Sequence, residues 1–459
     1  MTESIVSIDS ELCTGCGRCK DICPVGAISG EPAEPHRIAA SSCIVCGQCV
    51  QVCSGFDSSL KEYPTGRQQR LRQRGMLDSV SEPLFAAHYR GDIHALLAAL
   101  EDGSTSTFVQ CAPAVRVALG EEFGMGYGAL TPGKLAAALR ALGFDRVYDT
   151  TFAADLTIME EGAELIERIQ GKGRLPMFTS CCPGWVKFIE DQHPDLLENM
   201  SSCKSPQQMA GTLFKTYGAG VDKVDPASIF SVAVMPCTAK KFECARPEMD
   251  ASGHRDVDLV ITTRELAQLI KHKGLDFLGL DDEPFDNPLG CYSGAGNIFG
   301  TTGGVMEAAL RSACEVLTGV PLGEIELEYV RGGEGLRYAD IVHQDLELRV
   351  AIVAGLANVR RLLDEVRRGE ADVHFVEVMC CPMGCVSGGG QPKPLLPAQH
   401  LEAHAGRKSG LYCHDKKLAV RKSHDNPQVK KLYADFLGEP LGHESHRLLH
   451  TDHTSRRRA

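Results

Sequence analysis

The sequence predicts an α/β protein with mostly parallel sheets in two lobes, preceded by a small cysteine-rich module. From about residue 104 onward, short apolar runs alternate with amphipathic helical stretches. This alternation is typical of parallel sheets that are covered by helices. The first 58 residues contain instead a duplicated cysteine pattern, which indicates a separate domain.

Composition narrows the possible classes of protein. A chain of 459 residues is long enough for two or three domains. With 43% apolar and 24% charged residues it has the composition of a soluble globular protein. The net charge of −12 argues against a nucleic-acid partner, which would require basic side chains. No run approaches the ~20 apolar residues that span a bilayer, so no membrane insertion is expected.

The twenty cysteines are the most informative feature of the composition. The N-terminus has neither a basic region nor an apolar core typical of a secretory signal, so the cytoplasm is the expected location. In that compartment thiols stay reduced, and a long chain with this many cysteines points to metal chemistry rather than to disulfides.

The N-terminal module contains the spacing C-x2-C-x2-C-x3-C twice, thirty residues apart. This is the pattern of bacterial two-cluster ferredoxins, in which the fourth cysteine of each run serves the other cluster. By that pattern one [4Fe-4S] cluster is held by Cys13, Cys16, Cys19 and Cys53, and the second by Cys43, Cys46, Cys49 and Cys23. Zinc binding by the CxxC pairs is the alternative, and the duplicated order disfavours it. Ser54 stands where a proline often follows, which removes a rigid turn residue but no ligand. We therefore expect a small α+β ferredoxin-like domain over residues 1–58.

Residues 59–103 are interpreted as a helical connector that seats the N-terminal module on the next domain. The segment is charged and rich in Leu and Ala, and residues 93–100 have helical spacing. The arginine-rich run 67–74 is interpreted as a solvated face.

The larger domain is predicted to have buried strands at 107–111, 177–178 and 228–235, and helices at 135–142, 162–170 and 264–271. In parallel sheets, ligands collect at the loops beyond the carboxyl ends of the strands. Cys182 and Cys237 each follow such a strand directly.

Three cysteine-bearing loops stand out: T-S-C-C-P-G-W at 179–185, M-P-C-T-A-K-K-F-E at 235–243 and E-V-M-C-C-P-M-G-C-V-S-G-G-G-Q-P at 377–392. Soft thiolates from several strand ends suit an iron–sulfur site, and the triple glycine permits close backbone approach to a bulky group. Neighbouring side chains in extended backbone point in different directions, so Cys181 and Cys182 are expected to differ in role. Taken alone, the pair could also be small buried hydrophobes on a turn.

Together the three loops resemble the signature loops of the [FeFe]-hydrogenases, in that family's order. The resemblance covers about residues 104–450, with a catalytic domain expected over 104–392. It implies that Cys182, Cys237, Cys381 and Cys385 ligate the [4Fe-4S] part of an H-cluster. Cys385 would also bridge to a two-iron subsite that carries CO, cyanide and an azadithiolate.

The same resemblance implies a pocket and a proton route. Lys240 would donate to a cyanide nitrogen, and the pocket-lining positions are Met235, Met379, Phe299, Pro113, Gln207 and Ala114. The family's proton relay corresponds to Cys181, Glu161, Ser201 and Glu164, with Arg168 at the outer end. From the residues alone, Glu161 and Glu164 share one helix face. Acidic residues that favour the dipole of a helix start are the alternative interpretation.

The chain departs from the family pattern at four places. Cys380 replaces the usual Ala, Met383 replaces a small residue, Ala114 replaces a Ser found in part of the family, and Cys291 precedes the family-like segment 292–300. Thiols near a cluster can ligate or oxidise, but neutral packing changes are the simpler expectation.

The C-terminal segment 393–459 resembles the small-subunit part of the family, which periplasmic members carry as a separate chain. Its presence here favours one self-sufficient, monomeric chain. Half of the 16 histidines fall in it, and we interpret them as part of a solvated polar tail that ends in disordered arginines at 456–458. These histidines are His400, His404, His414, His424, His443, His446, His450 and His453.

The resemblance implies an enzyme that catalyses 2H⁺ + 2e⁻ ⇌ H₂. Its partners would be a ferredoxin or similar electron carrier and the maturation proteins that install the diiron subsite. The alternatives are an H₂-sensing or electron-transfer protein on the same scaffold, and an iron–sulfur assembly protein. The retained Cys181, Lys240 and paired glutamates favour catalysis, and an assembly protein is not expected to keep the complete loops.

Overall fold

The computed structural model describes residues 4–57, 66–333 and 335–456. The N-terminal module consists of β1 (Val6–Ile8), α1 (Arg18–Ile22), β2 (Ile28–Ser29), β3 (Arg37–Ile38) and α2 (Gln48–Val52). Strands β2 and β3 pair antiparallel, and each short helix begins within one cysteine run. This is a small ferredoxin-like arrangement of loops, helices and strands. The predicted boundary at residues 58 and 59 lies outside the described residues.

The following segment forms α3 (Arg67–Gln73), β4 (Ala87–Tyr89) and α4 (Ile93–Glu101). Strand β4 pairs antiparallel with β1, with Val6 opposite Tyr89, so the connector is not only helical and also completes the N-terminal module.

The arginine-rich run is not a solvated face, because two of its members are buried. Arg70 and Arg74 both bind the carboxylate of Asp9, over Nε–Oδ2 and Nη2–Oδ2 distances of 3.1 and 2.9 Å. A buried guanidinium requires such a partner, since desolvation of an unpaired charge is costly. The run therefore fastens the connector to the N-terminal module.

The larger part of the chain alternates strands and helices. Its elements are β5 (Ser106–Cys111), α5 (Pro132–Leu142), β6 (Arg146–Asp149), α6 (Thr150–Glu167), β7 (Met177–Phe178), α7 (Pro183–Gln192), α8 (Pro206–Leu213), α9 (Ala219–Asp222), β8 (Ile229–Met235), α10 (Ala239–Glu243), β9 (Leu259–Thr262), α11 (Thr263–His272), α12 (Gly294–Asn297), α13 (Gly304–Thr318), β10 (Gly335–His343), β11 (Leu346–Ala354), α14 (Leu356–Arg367), β12 (Phe375–Met379), α15 (Pro397–Lys417), α16 (Pro427–Leu432) and α17 (His443–Leu449).

Two four-stranded sheets form the core of this part. The first has the order β6-β5-β8-β9 and is entirely parallel. The second has the order β10-β11-β12-β7, in which only the edge pair β10–β11 is antiparallel. The central strands β5, β8, β11 and β12 are buried along most of their length, as expected for strands that are covered on both faces. The prediction of an α/β fold with mostly parallel sheets is confirmed.

The three predicted strands correspond to β5, β7 and β8, and the predicted helices at 135–142 and 264–271 lie in α5 and α11. The predicted helix at 162–170 covers only the last part of α6 (Thr150–Glu167) and runs past its end. Glu161 and Glu164 lie well past the first turn of the 18-residue α6, so the helix-start interpretation of these residues is wrong.

The carboxyl ends of four strands point to one place. Strands β5 and β8 of the first sheet, and β7 and β12 of the second, are followed directly by the segments that carry the motif cysteines and Pro113. The loops that follow these strands in both sheets therefore line one cavity, at the edge where ligands of parallel sheets are expected.

The C-terminal segment is packed against the core rather than solvated. His414 and His450 are buried, Arg407 binds Glu121 with a shortest N–O distance of 2.6 Å, and Arg456 binds Glu190. The expectation of a solvated tail is therefore wrong for these residues, although His443 and His446 are exposed. Arg457 and Arg458 lie outside the described residues. Among the described helices, none is long and apolar enough to cross a membrane.

Candidate metal centre

A buried cavity of about 90 Å³ lies where the four strand ends meet. Six cysteines line it: Cys181, Cys182, Cys237, Cys380, Cys381 and Cys385. All the predicted pocket positions line it as well, namely Pro113, Ala114, Gln207, Met235, Lys240, Phe299 and Met379. Residues that are far apart in the chain are thus brought together as the sequence motifs predicted.

The thiols of this cavity resist ionisation. Burial raises the pKa of Cys385 to about 12, and the nearby Cys182 adds to the shift. Burial likewise raises the pKa of Cys237, with further contributions from Cys182 and Cys385. Several buried thiols this close can all be thiolates only when a bound cation or metal cluster compensates their charge. The donor set therefore fits an iron–sulfur group.

The loop between β7 and α7 holds Cys182 at a helix N-terminus. Helix α7 begins with Pro183 in its first turn, a position where the missing N–H of proline is harmless. Burial raises the pKa of Cys182, but the backbone amides of Cys380, Trp185 and Gly184 oppose that rise. Amides that face the sulfur in this way would also stabilise a metal-bound thiolate.

Trp185 fixes the shape of this loop. Its side chain is fully buried, its Nε1 donates to the carbonyl oxygen of Thr179 at 3.0 Å, and its ring meets Phe178 edge to face at 5.8 Å. The hydrogen bond between Trp185 and Thr179 therefore connects the two ends of the loop.

Lys240 is held at the cavity wall by two acceptors. Its Nζ donates to the carbonyl oxygen of Cys181 at 3.1 Å and to Oε2 of Glu243 at 2.9 Å. Burial disfavours the charged ammonium, but Glu243 outweighs burial and raises the pKa of Lys240. Glu243 also accepts from Ser205 and Gln207. No role was assigned to Glu243 from the sequence, although its i,i+3 spacing from Lys240 on α10 was a usable signal.

The two cysteine sets of the N-terminal module each line their own small cavity. One is lined by Cys13, Cys16, Cys19 and Cys53, and the other by Cys23, Cys43, Cys46 and Cys49. These are the sets that the duplicated spacing predicted, with the fourth cysteine exchanged between runs. Burial raises the pKa of Cys19 and of Cys43 to about 11, with contributions from the neighbouring thiols.

Ser54, which replaces the usual proline, has a contact that the sequence did not indicate. Its hydroxyl donates to Sγ of Cys16 at 3.3 Å. The substitution thus adds a hydrogen bond to a candidate ligand.

The N-terminal module touches the main cavity through Gln48. The side-chain amide of Gln48 donates to Sγ of Cys381 at 3.2 Å and to the carbonyl oxygen of Ser387 at 3.0 Å. The backbones meet at Gly47 and Gly389, where a Cβ on Gly389 would lie 2.7 Å from Cα of Gly47. Only glycine permits this approach, which explains why the middle residue of the triple glycine is Gly389.

Cys380 lies at the same junction. It is buried, lines the main cavity, and packs in one apolar cluster with Cys46 and Cys182. Met383 packs with Ala114 in a smaller cluster beside the cavity. Cys291 lies outside the cavity lining, and its carbonyl oxygen accepts from Asn426.

The residues of the predicted proton route lie in and behind the cavity wall. Ser201 donates to Oε2 of Glu164 at 2.8 Å, and Arg168 donates to Oε1 of the same carboxylate at 2.6 Å.

Glu161 is buried, and neither carboxylate oxygen has a hydrogen-bond partner of normal geometry in the described chain. Burial raises the pKa of Glu161 to about 8, with a further contribution from Glu164, while Ser201 and the amide of Ser180 oppose the rise. Burial and the charge of Glu161 raise the pKa of Cys181.

Three family models match the chain. Residues 5–54 match a 4Fe-4S dicluster domain, residues 105–389 the C-terminal domain of the iron only hydrogenase large subunit, and residues 401–456 the iron hydrogenase small subunit.

Relatives and solved structures agree with these matches. The chain is 45% identical to an NADP-reducing hydrogenase subunit of Solidesulfovibrio fructosivorans, over 98% of this chain and 74% of the relative. It is 43% identical to a periplasmic [Fe] hydrogenase large subunit of Nitratidesulfovibrio vulgaris, over 90% of this chain and 91% of the relative. A solved apo [FeFe]-hydrogenase variant from Chlamydomonas reinhardtii superimposes with a TM-score of 0.71 at 42% identity, covering 80% of this chain and 100% of that one.

Proposed function

The chain belongs to the iron-only hydrogenases, oxidoreductases that act on H₂, and we propose that it interconverts protons and H₂ with the residues described above in specific roles. It binds two [4Fe-4S] clusters in its N-terminal domain, and an H-cluster made of a [4Fe-4S] part and a diiron subsite with CO, cyanide and azadithiolate. When bound, the [4Fe-4S] clusters would relay electrons, and the H-cluster would be the place where 2H⁺ + 2e⁻ ⇌ H₂ occurs. The main observation that supports this function is that four strand ends bring several thiols and one ammonium to a single buried cavity.

Four thiols are assigned as ligands of the cubane part: Cys182, Cys237, Cys381 and Cys385. They are supported by their common position on the cavity and by pKa values that burial raises in all four. Neighbouring thiols raise the pKa further in Cys237, Cys381 and Cys385. Cys385 would also hold the diiron subsite. The N-terminal sets, one ending in Cys53 and one completed by Cys23, would each hold one cluster.

Lys240 is assigned to hold a cyanide ligand. An ammonium has three N–H donors, and two are taken by Cys181 and Glu243. The third is free to point into the cavity that Lys240 lines. Because the pKa of Lys240 is raised, the group stays charged and makes a strong hydrogen bond to an anionic acceptor.

The remaining wall keeps water out. Met235, Met379, Phe299, Pro113 and Ala114 line the cavity with apolar atoms. Gln207 places a buried amide there, and its Oε1 has no hydrogen-bond partner among the residues that the structure describes. An acceptor left open in this way suits an orienting contact to a bound group.

Protons are proposed to pass along side chains between Arg168 and Cys181. The Cys181 thiol would hold a proton at Sγ on the cavity wall, where the bound group can take it up, and would regain one from Glu161. Because the pKa of Glu161 lies near 8, this carboxyl can both hold and release a proton close to neutral pH. The Ser201 hydroxyl, which lowers the pKa of Glu161 and donates to Glu164, is proposed to connect the two carboxyls. The other oxygen of Glu164 accepts from Arg168.

The arrangement of lobes, the partners, the oligomeric state and the location of the enzyme are also proposed. Each four-stranded sheet forms the core of one lobe, with the cavity between the two. A ferredoxin or similar carrier exchanges electrons with the N-terminal domain, and maturation proteins install the diiron subsite. A single chain acts as a monomer in the cytoplasm, where its unpaired cysteines stay reduced.

The test is to mature the protein anaerobically, record infrared bands of bound CO and cyanide, and measure H₂ turnover. Both signals are expected, and Cys385→Ser is expected to lose both while the N-terminal clusters remain. Absence of both after maturation would refute the assignment. Bands without turnover would favour the H₂-sensing alternative.

A further inference from the structure

A buried group of polar side chains adjoins Glu164 beyond the route described above. Oε1 of Glu164 binds Arg168, whereas Oε2 also faces the thiol of Cys203 at 3.9 Å. The same thiol lies 4.0 Å from Nδ1 of His450, and Glu164, Cys203 and His450 are all buried. The thiol therefore stands between a carboxylate of the route and an imidazole from the C-terminal segment.

His450 is buried but contacts a residue that is partly exposed. Its Nδ1 lies 2.8 Å from the hydroxyl of Ser202, which is half-buried. One ring nitrogen thus faces both a hydroxyl near solvent and the buried thiol. A proton that arrives from the Ser202 hydroxyl at this nitrogen is therefore within reach of the thiol.

The other ring nitrogen has an acidic partner. Nε2 of His450 lies 3.0 Å from Oε2 of Glu160, which is fully buried and also accepts from Tyr433 and from the amide of Leu441. The carboxylate fixes the ring orientation, keeps a proton on Nε2 and leaves Nδ1 as the exchanging nitrogen. The exposed ring of His446 stacks on His450 at 4.7 Å. The groups that face His450 are therefore Glu160, Cys203, Ser202 and His446, with Glu164 beyond the thiol.

We propose that Glu164 has a second proton supply, which runs from Ser202 through His450 and Cys203 and joins the supply at Arg168. The inference rests on the proposed function, since it feeds the same route. No electrons move in it. The protonated imidazole gives its Nδ1 proton to Sγ of Cys203 while the thiol gives its own proton to Oε2 of Glu164. Neutral His450 then regains a proton from water through the Ser202 hydroxyl.

The thiol stays a thiol throughout this transfer. Burial raises the pKa of Cys203, and the charges of Glu164, Glu161 and Glu160 raise it further, so that it does not ionise between transfers. The same steps in reverse remove protons when H₂ is oxidised. The two sulfur contacts are long for hydrogen bonds, so this supply is the slower of the two.

Two parallel supplies predict a particular pattern of mutant rates. Cys203→Ala alone is expected to lower H₂ turnover about twofold, because the supply at Arg168 remains. Combined with Arg168→Leu it is expected to lose roughly 100-fold, far more than Arg168→Leu alone. The solvent deuterium isotope effect should rise in the double variant, because proton delivery becomes limiting.

The matched control is Tyr433→Phe, which removes one hydrogen bond from Glu160 but no group of the proposed supply. It is expected to keep the parent rate and pH profile. Rates are divided by the iron content and by the infrared signal of loaded enzyme, and melting temperatures are recorded for every variant. A structural role for Cys203 would lower the melting temperature without changing the isotope effect.

The possible outcomes distinguish failure of the second proton supply from failure of the proposed function. If the parent enzyme turns over and the double variant equals Arg168→Leu in rate and isotope effect, the second supply does not exist. If His450→Gln loses stability but keeps the parent rate per loaded enzyme, the contact is structural and the proposal is overturned. If the matured parent enzyme shows no turnover, the proposed function itself fails.

Discussion

Replacement of Glu161 by Gln separates a functional carboxyl from a merely buried one. Burial and Glu164 raise the pKa of Glu161 from 4.5 to about 8, and the side chain is only 2% exposed. A raised folded-state pKa means that the folded protein binds this proton more tightly than the unfolded chain does. Its contribution to stability is therefore complete below pH 4.5 and is lost as the pH rises to about 8.

The size of this effect follows from the shift. A pKa change of this extent corresponds to roughly 5 kcal/mol, an upper figure that local water entry would reduce. The amide that replaces the carboxyl would carry no charge at any pH. Glu161→Gln should therefore match the parent protein near pH 5 and exceed its stability near pH 9 by a few kcal/mol.

The assay is anaerobic thermal unfolding of both proteins at pH 5 and pH 9, followed by H₂ turnover. Turnover is expected to fall by about 10²- to 10⁴-fold in the variant, because an amide cannot relay a proton. Glu167→Gln is the control, since Glu167 lies on the same helix but is half-exposed and pairs with Lys172. Glu167→Gln should change neither the pH dependence of thermal unfolding nor H₂ turnover.

Two results would refute the reasoning. If the melting temperatures of Glu161→Gln and the parent protein differ by the same amount at pH 5 and at pH 9, the Glu161 carboxyl is not held neutral by burial. Normal turnover with full iron content would exclude Glu161 from the proton route even if the stability prediction holds.

Three further predictions concern single contacts. Lys240→Leu should weaken retention of the diiron subsite and lower turnover by more than about 100-fold, as seen by infrared band intensity and iron content; unchanged bands would contradict the cyanide contact. Ser54→Ala removes the donor to Cys16 and should lower the reduction potential of that cluster in an EPR-monitored titration, with the other N-terminal cluster as internal control. Gln48→Leu removes the donor to Cys381 and should lower the potential of the cubane at the main cavity while both N-terminal potentials stay the same; equal shifts of all three would indicate a general structural change.

The neighbouring cysteines of the first loop lie in different surroundings. Cys182 precedes α7, and its sulfur faces amides at the helix start. Cys181 instead offers its carbonyl oxygen to Lys240, and its thiol is within electrostatic reach of Glu161. The extended backbone between them points the two side chains in different directions.

The chemistry of this protein could be predicted from local sequence because metal ligands occur at short, fixed spacings. The cysteine runs around Cys13 and Cys43 predicted both N-terminal sets, and the three loops after strand ends predicted the main cavity. Parallel sheets bring strand ends to one edge, so each loop could be placed without knowledge of the others.

Only the tertiary structure decided the contacts that join distant segments. The bond from Gln48 to Cys381, the bond from Lys240 to the carbonyl oxygen of Cys181 and the position of His450 beside Glu160 depend on how distant elements pack. The predictions that Arg70, Arg74, His414 and His450 are solvated were wrong for the same reason. A charged or polar residue is solvated or buried according to whether packing supplies a partner for it, and that partner has no fixed distance along the chain.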